Sequence, residues 1–174
     1  MRQGCGLNML VVSDTSPLRY LVEVGAVEVL PKLYSSVLTT PQVMQELCGE
    51  HFPDSVRMWA QHAPLWLKVE SPLQMRFLDQ LDDGEASALS LACERGCHLL
   101  LVDERAGSRV AHDCGIRTIG TLGILLEAGY ENLIDFHAAI QSLTTRTAFR
   151  HSKVLIDSVI VDFERERARR PSRQ

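Results

Sequence analysis

Two aspartates directly follow the two most apolar short runs of this 174-residue sequence. Asp14 comes after the run LVVS at 10–13, and Asp103 comes after HLLLV at 98–102. Each run is short, continuous and aliphatic, which predicts a buried strand. Parallel strands all end at the same edge of a sheet, where ligands commonly bind. We therefore expect the two carboxylates to meet there if the two strands are neighbours.

Two glutamates are predicted at the same edge. Glu46 lies in the helix after the second predicted strand, and Glu85 opens the helix before the fourth. Clustered carboxylates repel one another unless a cation lies between them. Mg²⁺ and Mn²⁺ prefer oxygen ligands, so we predict one of them as cofactor, held by Asp14, Glu46, Glu85 and Asp103. Such a site supports metal-assisted hydrolysis of a phosphodiester.

Each carboxylate also has a structural interpretation. Asp14 could cap the helix that follows, although Ser16 is the better placed cap if the helix begins at the next proline. The motif D-x-x-E at 82–85 is typical of a capping box. Asp103 could likewise cap the helix after it, and Glu46 alone resembles an ordinary surface residue. Only the four together match one arrangement.

Strands and helices alternate along the chain, which predicts one α/β domain with a central parallel sheet and right-handed crossovers. The predicted strands are 10–12, 37–38, 66–69, 98–102 and 116–119. The predicted helices are 18–24, 27–34, 40–48, 52–63, 72–81, 85–95, 106–113, 120–128, 133–143 and 152–169.

The composition, with 45% apolar and 23% charged residues, is typical of a globular protein. The sequence has no apolar run long enough to cross a membrane, and its first residues lack a signal-peptide pattern. We therefore expect a cytoplasmic protein with no membrane contact. Its five cysteines include no CxxC pair, which predicts reduced thiols and argues against structural zinc.

The net charge of −4 does not itself indicate nucleic-acid binding, but most of the 18 basic residues are arginines. Arginine suits bidentate phosphate contacts. An arginine cluster at the C-terminus fits either such contacts or, with slightly better support, a solvated helix end. The cluster consists of Arg165, Arg167, Arg169, Arg170 and Arg173.

The motifs around the four acidic residues, in their order along the chain, resemble those of the PIN-domain nucleases, which include the VapC toxins. They are VVSDTSPL, TTPQVMQEL, DDGEASALSLA and LLLVDERAGSRVA, followed by GTLGIL at 120–125. The resemblance covers residues 10–139 and is nearest to an uncharacterised prokaryotic branch with DTSPL and GTLG motifs. Each motif is weak alone, and the combination is specific.

This resemblance implies a three-layer α/β/α sandwich with a five-stranded parallel sheet, and Mg²⁺ or Mn²⁺ at the acidic cluster. It implies cleavage of single-stranded RNA, a toxin role with an antitoxin partner, and a homodimer. Thr15 and Ser16 match polar positions that support the first Asp. Arg105 and Arg109 are predicted to meet substrate phosphates, with ordinary helix-surface charge as the alternative.

The predicted organisation is an N-terminal extension at 1–8, a PIN-like domain at 9–143 and a C-terminal helical extension with a basic tail at 144–174. The chain departs from the family at Glu85, where most members carry Asp, and in the length of its last helix. These departures leave a second hypothesis open: a catalytically weak PIN-like module that binds RNA or a protein partner. Metal-dependent turnover distinguishes the two.

Overall fold

The computed structural model describes residues 9–169, and its centre is a five-stranded sheet in which every pairing is parallel. The strands are β1 (Leu10–Ser13), β2 (Ser36–Thr39), β3 (Leu67–Val69), β4 (Leu99–Leu101) and β5 (Arg117–Ile119). The predicted extension at 1–8, together with Arg170 and Arg173, lies outside the described residues.

Helices cover the sheet, which gives the predicted three-layer α/β/α sandwich. They are α1 (Thr15–Glu23), α2 (Leu30–Leu33), α3 (Pro41–Leu47), α4 (Asp54–Gln61), α5 (Asp83–Glu94), α6 (Arg105–Asp113), α7 (Thr121–Tyr130), α8 (Phe136–Arg146) and α9 (Lys153–Arg169), with a 3₁₀ turn at Val27–Val29. No helix among residues 9–169 combines the length and apolar character that crossing a membrane requires.

The strand order β3-β2-β1-β4-β5 places β1 and β4 side by side. Ser13 at the end of β1 lies opposite Leu101 at the end of β4, and the Asp14 N–H donates to the Leu101 carbonyl at 2.9 Å. The predicted adjacency of the first and fourth strands is therefore confirmed. This is the switch point at which parallel sheets open a crevice for ligands.

Strands β1 and β4 are buried on both faces, which explains their unbroken aliphatic sequences. Val11, Val12 and Leu101 are fully buried, and Leu18 and Leu21 of α1 pack into the same core. Burying one such side chain stabilises the fold by roughly 1.5–3 kcal/mol. The strong burial fixes the register of β1 and β4, and hence the positions of the acidic residues that follow them.

The helix predicted at 72–81 is wrong. This segment has no helix, and Phe77 within it has a φ of 67°. Side chains of α5 satisfy its backbone instead: the Glu94 carboxylate accepts from two of its N–H groups at 2.8 and 2.9 Å, and Ser90 Oγ accepts from a third at 2.9 Å. The segment therefore lies along α5 as an irregular chain.

The predicted cap of the first helix is also wrong. Helix α1 begins at Thr15, so Asp14 and not Ser16 stands at the N-cap position. The proline at position 17 is tolerated because its missing N–H would find no partner in the first helical turn. The Asp14 side chain makes no capping hydrogen bond.

The last helix, α9, packs on α7 and α8 through a cluster of rings. The ring of Phe163 is 2% exposed and stacks 4.1 Å from the ring of Phe136 and 5.5 Å from that of Tyr130. Gly129 permits this approach, since a Cβ there would lie 2.9 Å from the Phe163 ring. The boundary predicted between residues 143 and 144, which separates the main domain from the C-terminal helical extension, stays a prediction.

Candidate active site

An acidic cavity of about 270 Å³ lies at the carboxyl edge of β1. Its acidic lining residues are Asp14, Glu46, Asp82, Glu85 and Glu104, and its hydroxyl-bearing ones are Thr15 and Ser16. None of the lining side chains in the described part of the chain is a Lys or Arg. The structure thus brings together three of the four predicted acidic residues with no basic residue in the lining.

Asp14 is the most deeply buried carboxylate of the cavity, with 3% of the residue exposed. Its Oδ1 has no hydrogen-bond partner among the described residues. Burial raises the pKa of Asp14 well above its ordinary value, the backbone N–H of Thr15 lowers it in part, and the charges of Glu85, Asp82 and Glu46 raise it further. A cation in the cavity would relieve both the desolvation and the repulsion.

Glu85 occupies the first turn of α5 and is also buried. Its Oε1 lacks a hydrogen-bond partner within residues 9–169 and lies against Gly107, where a Cβ would be 3.0 Å away. Burial, then the charge of Asp82, raises the pKa of Glu85. Asp82 is the helix cap, because its Oδ1 accepts from the Glu85 N–H at 2.9 Å. The capping prediction for 82–85 is confirmed at Asp82.

Glu46 is positioned by Thr15, whose hydroxyl donates a hydrogen bond to Glu46 Oε2. The contact needs the absence of a side chain at Gly84, since a Cβ there would lie 2.6 Å from the same Glu46 oxygen. Thr15, Gly84 and Glu46 come from three different helices. Their contact joins α1, α3 and α5 at the wall of the cavity.

Buried hydroxyl groups stabilise the backbone beneath the cavity. Thr40, the N-cap of α3, lies 2.6 Å from Ser87 Oγ, and Ser87 donates to the Gly84 carbonyl at 2.8 Å. Thr39 donates to the Ser13 carbonyl at 2.9 Å. Satisfied buried hydrogen bonds of this kind hold neighbouring elements in one arrangement.

Asp103 lies at the same edge of the sheet but does not line the cavity. Both of its oxygens accept from Thr121, one from the backbone N–H and the other from the hydroxyl. Burial raises the pKa of Asp103, and these bonds offset part of the rise. The interpretation of Asp103 as the cap of the next helix is wrong, since Glu104 stands at the N-cap of α6 and Asp103 binds the start of α7.

The remaining predicted site residues divide between the cavity and the surface. Thr15 and Ser16 line the cavity, whereas Arg105 and Arg109 are exposed on α6 and do not. Arg105 stands in the chain between two lining residues, Glu104 and Ala106. The predicted contacts of Arg105 and Arg109 with phosphates stay a prediction.

Sequence reasoning did not assign Glu104, Asp82 or Phe52 to the cavity. The signal for Glu104 was its place after Asp103, since successive side chains of an extended backbone point in opposite directions. One of the two therefore had to face away from the other. Phe52 carried no such signal, because its place depends on how α4 packs against α1.

The donor set of the cavity fits a hard divalent cation, since every polar side-chain donor is a carboxylate or hydroxyl oxygen. The unpartnered buried oxygens of Asp14 and Glu85 are the specific observation that favours one. Within residues 9–169, however, no three His, Cys, Asp or Glu side chains already form a ligand group. Asp14 and Glu85 are the residues that would hold the ion, and Glu46 lies on the cavity wall beside them.

A five-stranded parallel α/β/α sandwich with an acidic cavity at its switch point is an architecture suited to binding a divalent cation. The family comparison is specific: residues 10–165 match the model of the PIN domain family DUF3368. The chain belongs to this family, whose members are generally nucleases that use divalent metal ions. The family membership supports a nuclease role.

Among solved structures, the chain is similar to a PilT N-terminus domain protein from the hyperthermophilic archaeon Sulfolobus solfataricus. The two share 14% sequence identity, with a TM-score of 0.43, over 83% of this chain and 98% of that chain. A comparison with curated proteins finds no match.

Proposed function

We propose that this chain is an endoribonuclease that cleaves phosphodiester bonds of single-stranded RNA with Mg²⁺ or Mn²⁺, and that it is the VapC-like toxin of a toxin–antitoxin pair. The observation that carries the proposal is the pair of buried carboxylates, Asp14 and Glu85, each with an unpartnered oxygen in one acidic cavity. Unpaired buried charges are costly. A folded protein that keeps two of them is expected to use them.

Three carboxylates have distinct roles in this proposal. Asp14 and Glu85, each with one unpartnered oxygen, would hold the cation. Glu46 has one oxygen fixed by the Thr15 hydroxyl, and we assign the other, Oε1, to accept a proton from the attacking water. The cation, when bound, supplies the positive charge that stabilises the oxygen leaving phosphorus.

Helix N-termini add to the recognition of phosphate. The N-cap residues of α1, α5 and α6, which are Asp14, Asp82 and Glu104, all line the cavity, so the backbone dipoles of these helix N-termini favour negative charge there. Arg105 and Arg109 are exposed on α6, outside the cavity lining, and we assign them to contact phosphates on either side of the scissile bond. Asp103 holds the segment that carries Glu104 in place.

The direct test is cleavage of end-labelled single-stranded RNA with Mn²⁺ or Mg²⁺, compared with DNA of the same sequence. We expect cleavage of RNA by the wild type, and its loss in excess chelator, in Asp14→Asn and in Glu85→Gln. Asp113→Asn is the matched control, because Asp113 is exposed at the end of α6 and does not line the cavity. Equal cleavage by Asp14→Asn and Asp113→Asn would reject the proposal.

One observation favours a second candidate, a catalytically weak module that binds RNA or a protein. Asp103 has both oxygens bound to Thr121, and no three acidic side chains of the described residues form a ready ligand group. Titration calorimetry with Mn²⁺ separates the candidates. If the chain is a nuclease, the wild type binds Mn²⁺ and the Asp14→Asn variant does not. If it is the weak module, its affinity for RNA is the same with and without Asp14.

The toxin role rests on the resemblance of the DTSPL and GTLG motifs. We expect induced expression of the wild type to arrest growth, and expression of Asp14→Asn to permit it. The exposed Val154 and Val161 of α9 offer an apolar surface for an antitoxin or for a second copy of the chain. Light scattering of the isolated protein tests the expected homodimer.

A further inference from the structure

A series of ring contacts begins in the acidic cavity and leaves it along α1. The ring of Phe52, a lining residue of the cavity, lies 4.2 Å from the ring of His51. The Arg19 guanidinium lies 4.9 Å from the Phe52 centroid and also 4.9 Å from that of Tyr20. Arg19 thus bridges an aromatic ring of the cavity to one outside it.

The series continues onto the segment between α8 and α9. The Tyr20 ring meets the Phe149 ring edge to face at 5.0 Å, and the Phe149 ring stacks with that of His151 at 6.0 Å. We call these side chains the aromatic strip. It consists of His51, Phe52, Arg19, Tyr20, Phe149 and His151.

Polar contacts restrain several side chains of the strip. The Arg19 side chain donates to the Glu23 carboxylate at 2.7 Å, and the Tyr20 hydroxyl donates to the Ala148 carbonyl at 3.5 Å. His151 Nδ1 lies 3.0 Å from the Phe149 carbonyl. Rings fixed before binding lose little conformational entropy when a ligand stacks on them.

Packing alone does not account for the strip. Tyr20 and Phe149 are half-buried and do join α1 to the α8–α9 segment, but His51 and His151 at the two ends are exposed. The cluster around Phe163 provides the contrast, since Phe163 and Phe136 are both almost fully buried. That second cluster is centred on two rings that are 2% exposed, with only His137 exposed at its edge, whereas in the strip only Phe52 is buried, at 9%.

A row of aromatic rings with an interleaved arginine matches single-stranded nucleic acid, because bases stack on such rings. We infer that the aromatic strip binds the bases of single-stranded RNA and leads the strand into the acidic cavity. Phe52 lines the cavity but is only 9% exposed, so the bases would stack on the outer rings of the strip, and Phe52 marks where the strip meets the cavity. This inference rests on the proposed function and names its substrate path.

Stacking is tolerant of sequence, since every base has a ring face. The strip therefore contributes affinity and direction more than sequence discrimination. It also excludes paired substrates at this point, because bases in a duplex are stacked on each other and are not free to stack on protein rings.

The test measures binding apart from turnover. Fluorescence anisotropy of Asp14→Asn in chelator is followed with an oligouridylate of about 12 nucleotides. A ribose–phosphate oligomer of the same length without bases is the second probe. His151→Ala, Tyr20→Leu and Phe149→Leu are each made in this background; leucine preserves the apolar packing. The control is His137→Ala, which removes an exposed ring from the cluster around Phe163.

We expect each strip variant to weaken oligouridylate binding by roughly tenfold and to leave binding of the base-free oligomer unchanged. His137→Ala is expected to leave both unchanged, and thermal unfolding verifies that each variant is folded. Equal weakening for both probes, or equal weakening by His137→Ala, would overturn the inference. The proposed function is read separately, as Mn²⁺-dependent cleavage by the wild type, so either can fail without the other.

Discussion

Both carboxylate oxygens of Asp103 accept hydrogen bonds from one residue, Thr121. Oδ1 accepts from the backbone N–H and Oδ2 from the hydroxyl, each at 2.7 Å. The pair joins the end of β4 to the first turn of α7, where an anionic partner also suits the helix dipole. Because Glu104 is the next residue after Asp103, this contact also fixes the segment that brings Glu104 to the cavity.

Replacing Thr121 by Val removes the hydroxyl with little change of shape. We expect the free energy of unfolding to fall by about 1–3 kcal/mol, because a partly buried carboxylate oxygen of Asp103 loses its partner. Cleavage is expected to fall as well, since the segment carrying Glu104 loosens. Urea unfolding measures the first effect. Thr144→Val is the control, and a loss of stability equal to that of Thr121→Val would contradict the prediction.

Asp14→Asn is expected to reduce the rate of cleavage at least about a hundredfold and to stabilise the metal-free protein. The gain arises because the variant removes a buried charge that lacks a full set of partners, whose cost is at least about 1 kcal/mol. Thermal unfolding in chelator measures it. Asp113→Asn, at an exposed position, is expected to change stability by less than about 0.5 kcal/mol. A less stable Asp14→Asn would show that the charge is not a burden to the fold.

The pH dependence of stability follows from the raised pKa of Asp14. Between the pKa of an unfolded aspartate, about 3.9, and the raised folded value, the folded chain holds a proton that the unfolded chain has released. Stability therefore falls as pH rises through this window. In chelator, the free energy of unfolding of Asp14→Asn is expected to exceed that of the wild type by an amount that grows with pH. An advantage that stays constant from about pH 4 to 7 would contradict the assignment.

Divalent cations are expected to offset the destabilisation that the charged Asp14 side chain causes. Mn²⁺ at about 100 times its dissociation constant would stabilise the wild type by about 2.7 kcal/mol. The same concentration is expected to leave Asp14→Asn unchanged, because that variant lacks the deepest ligand. Differential scanning fluorimetry over a series of Mn²⁺ concentrations gives the result. Equal stabilisation of both proteins would place the ion elsewhere.

Gly84→Ala separates the geometry of the site from the stability of the fold. The new Cβ would lie 2.6 Å from Glu46 Oε2, so the Glu46 side chain must move away from Thr15. Since alanine favours a helix over glycine by up to about 1 kcal/mol, little stability is lost. We expect cleavage to fall about tenfold or more, with the unfolding midpoint nearly unchanged. Unaltered cleavage would show that the position of Glu46 is unimportant.

The sheet could be predicted from the sequence because each central strand is an unbroken aliphatic run followed by a carboxylate. The adjacency of β1 and β4 could be inferred from those carboxylates, since they have reason to converge only at a switch point. The segment 72–81 could not be predicted. Its structure depends on hydrogen bonds to Glu94 and Ser90, which follow it in the chain and carry no local signal.

Side-chain direction limited the prediction of the site. The sequence places Asp103 and Glu104 together after β4 but does not show which of the two faces the cavity. That choice is made by Thr121, a residue of the GTLG motif, whose N–H and hydroxyl draw Asp103 toward α7. The motif was recognised as part of the resemblance, while its physical role required the three-dimensional structure.

The strand order has a consequence for how the protein is made. Strand β1 and Asp14 leave the ribosome early, but β4, which pairs with β1, and Glu104 follow only after more than half of the chain has been synthesised. Until β4 inserts beside β1, the cavity has no wall on that side. A truncated or unfinished polypeptide therefore carries an incomplete cleft, and the acidic residues come together only after translation has passed this point.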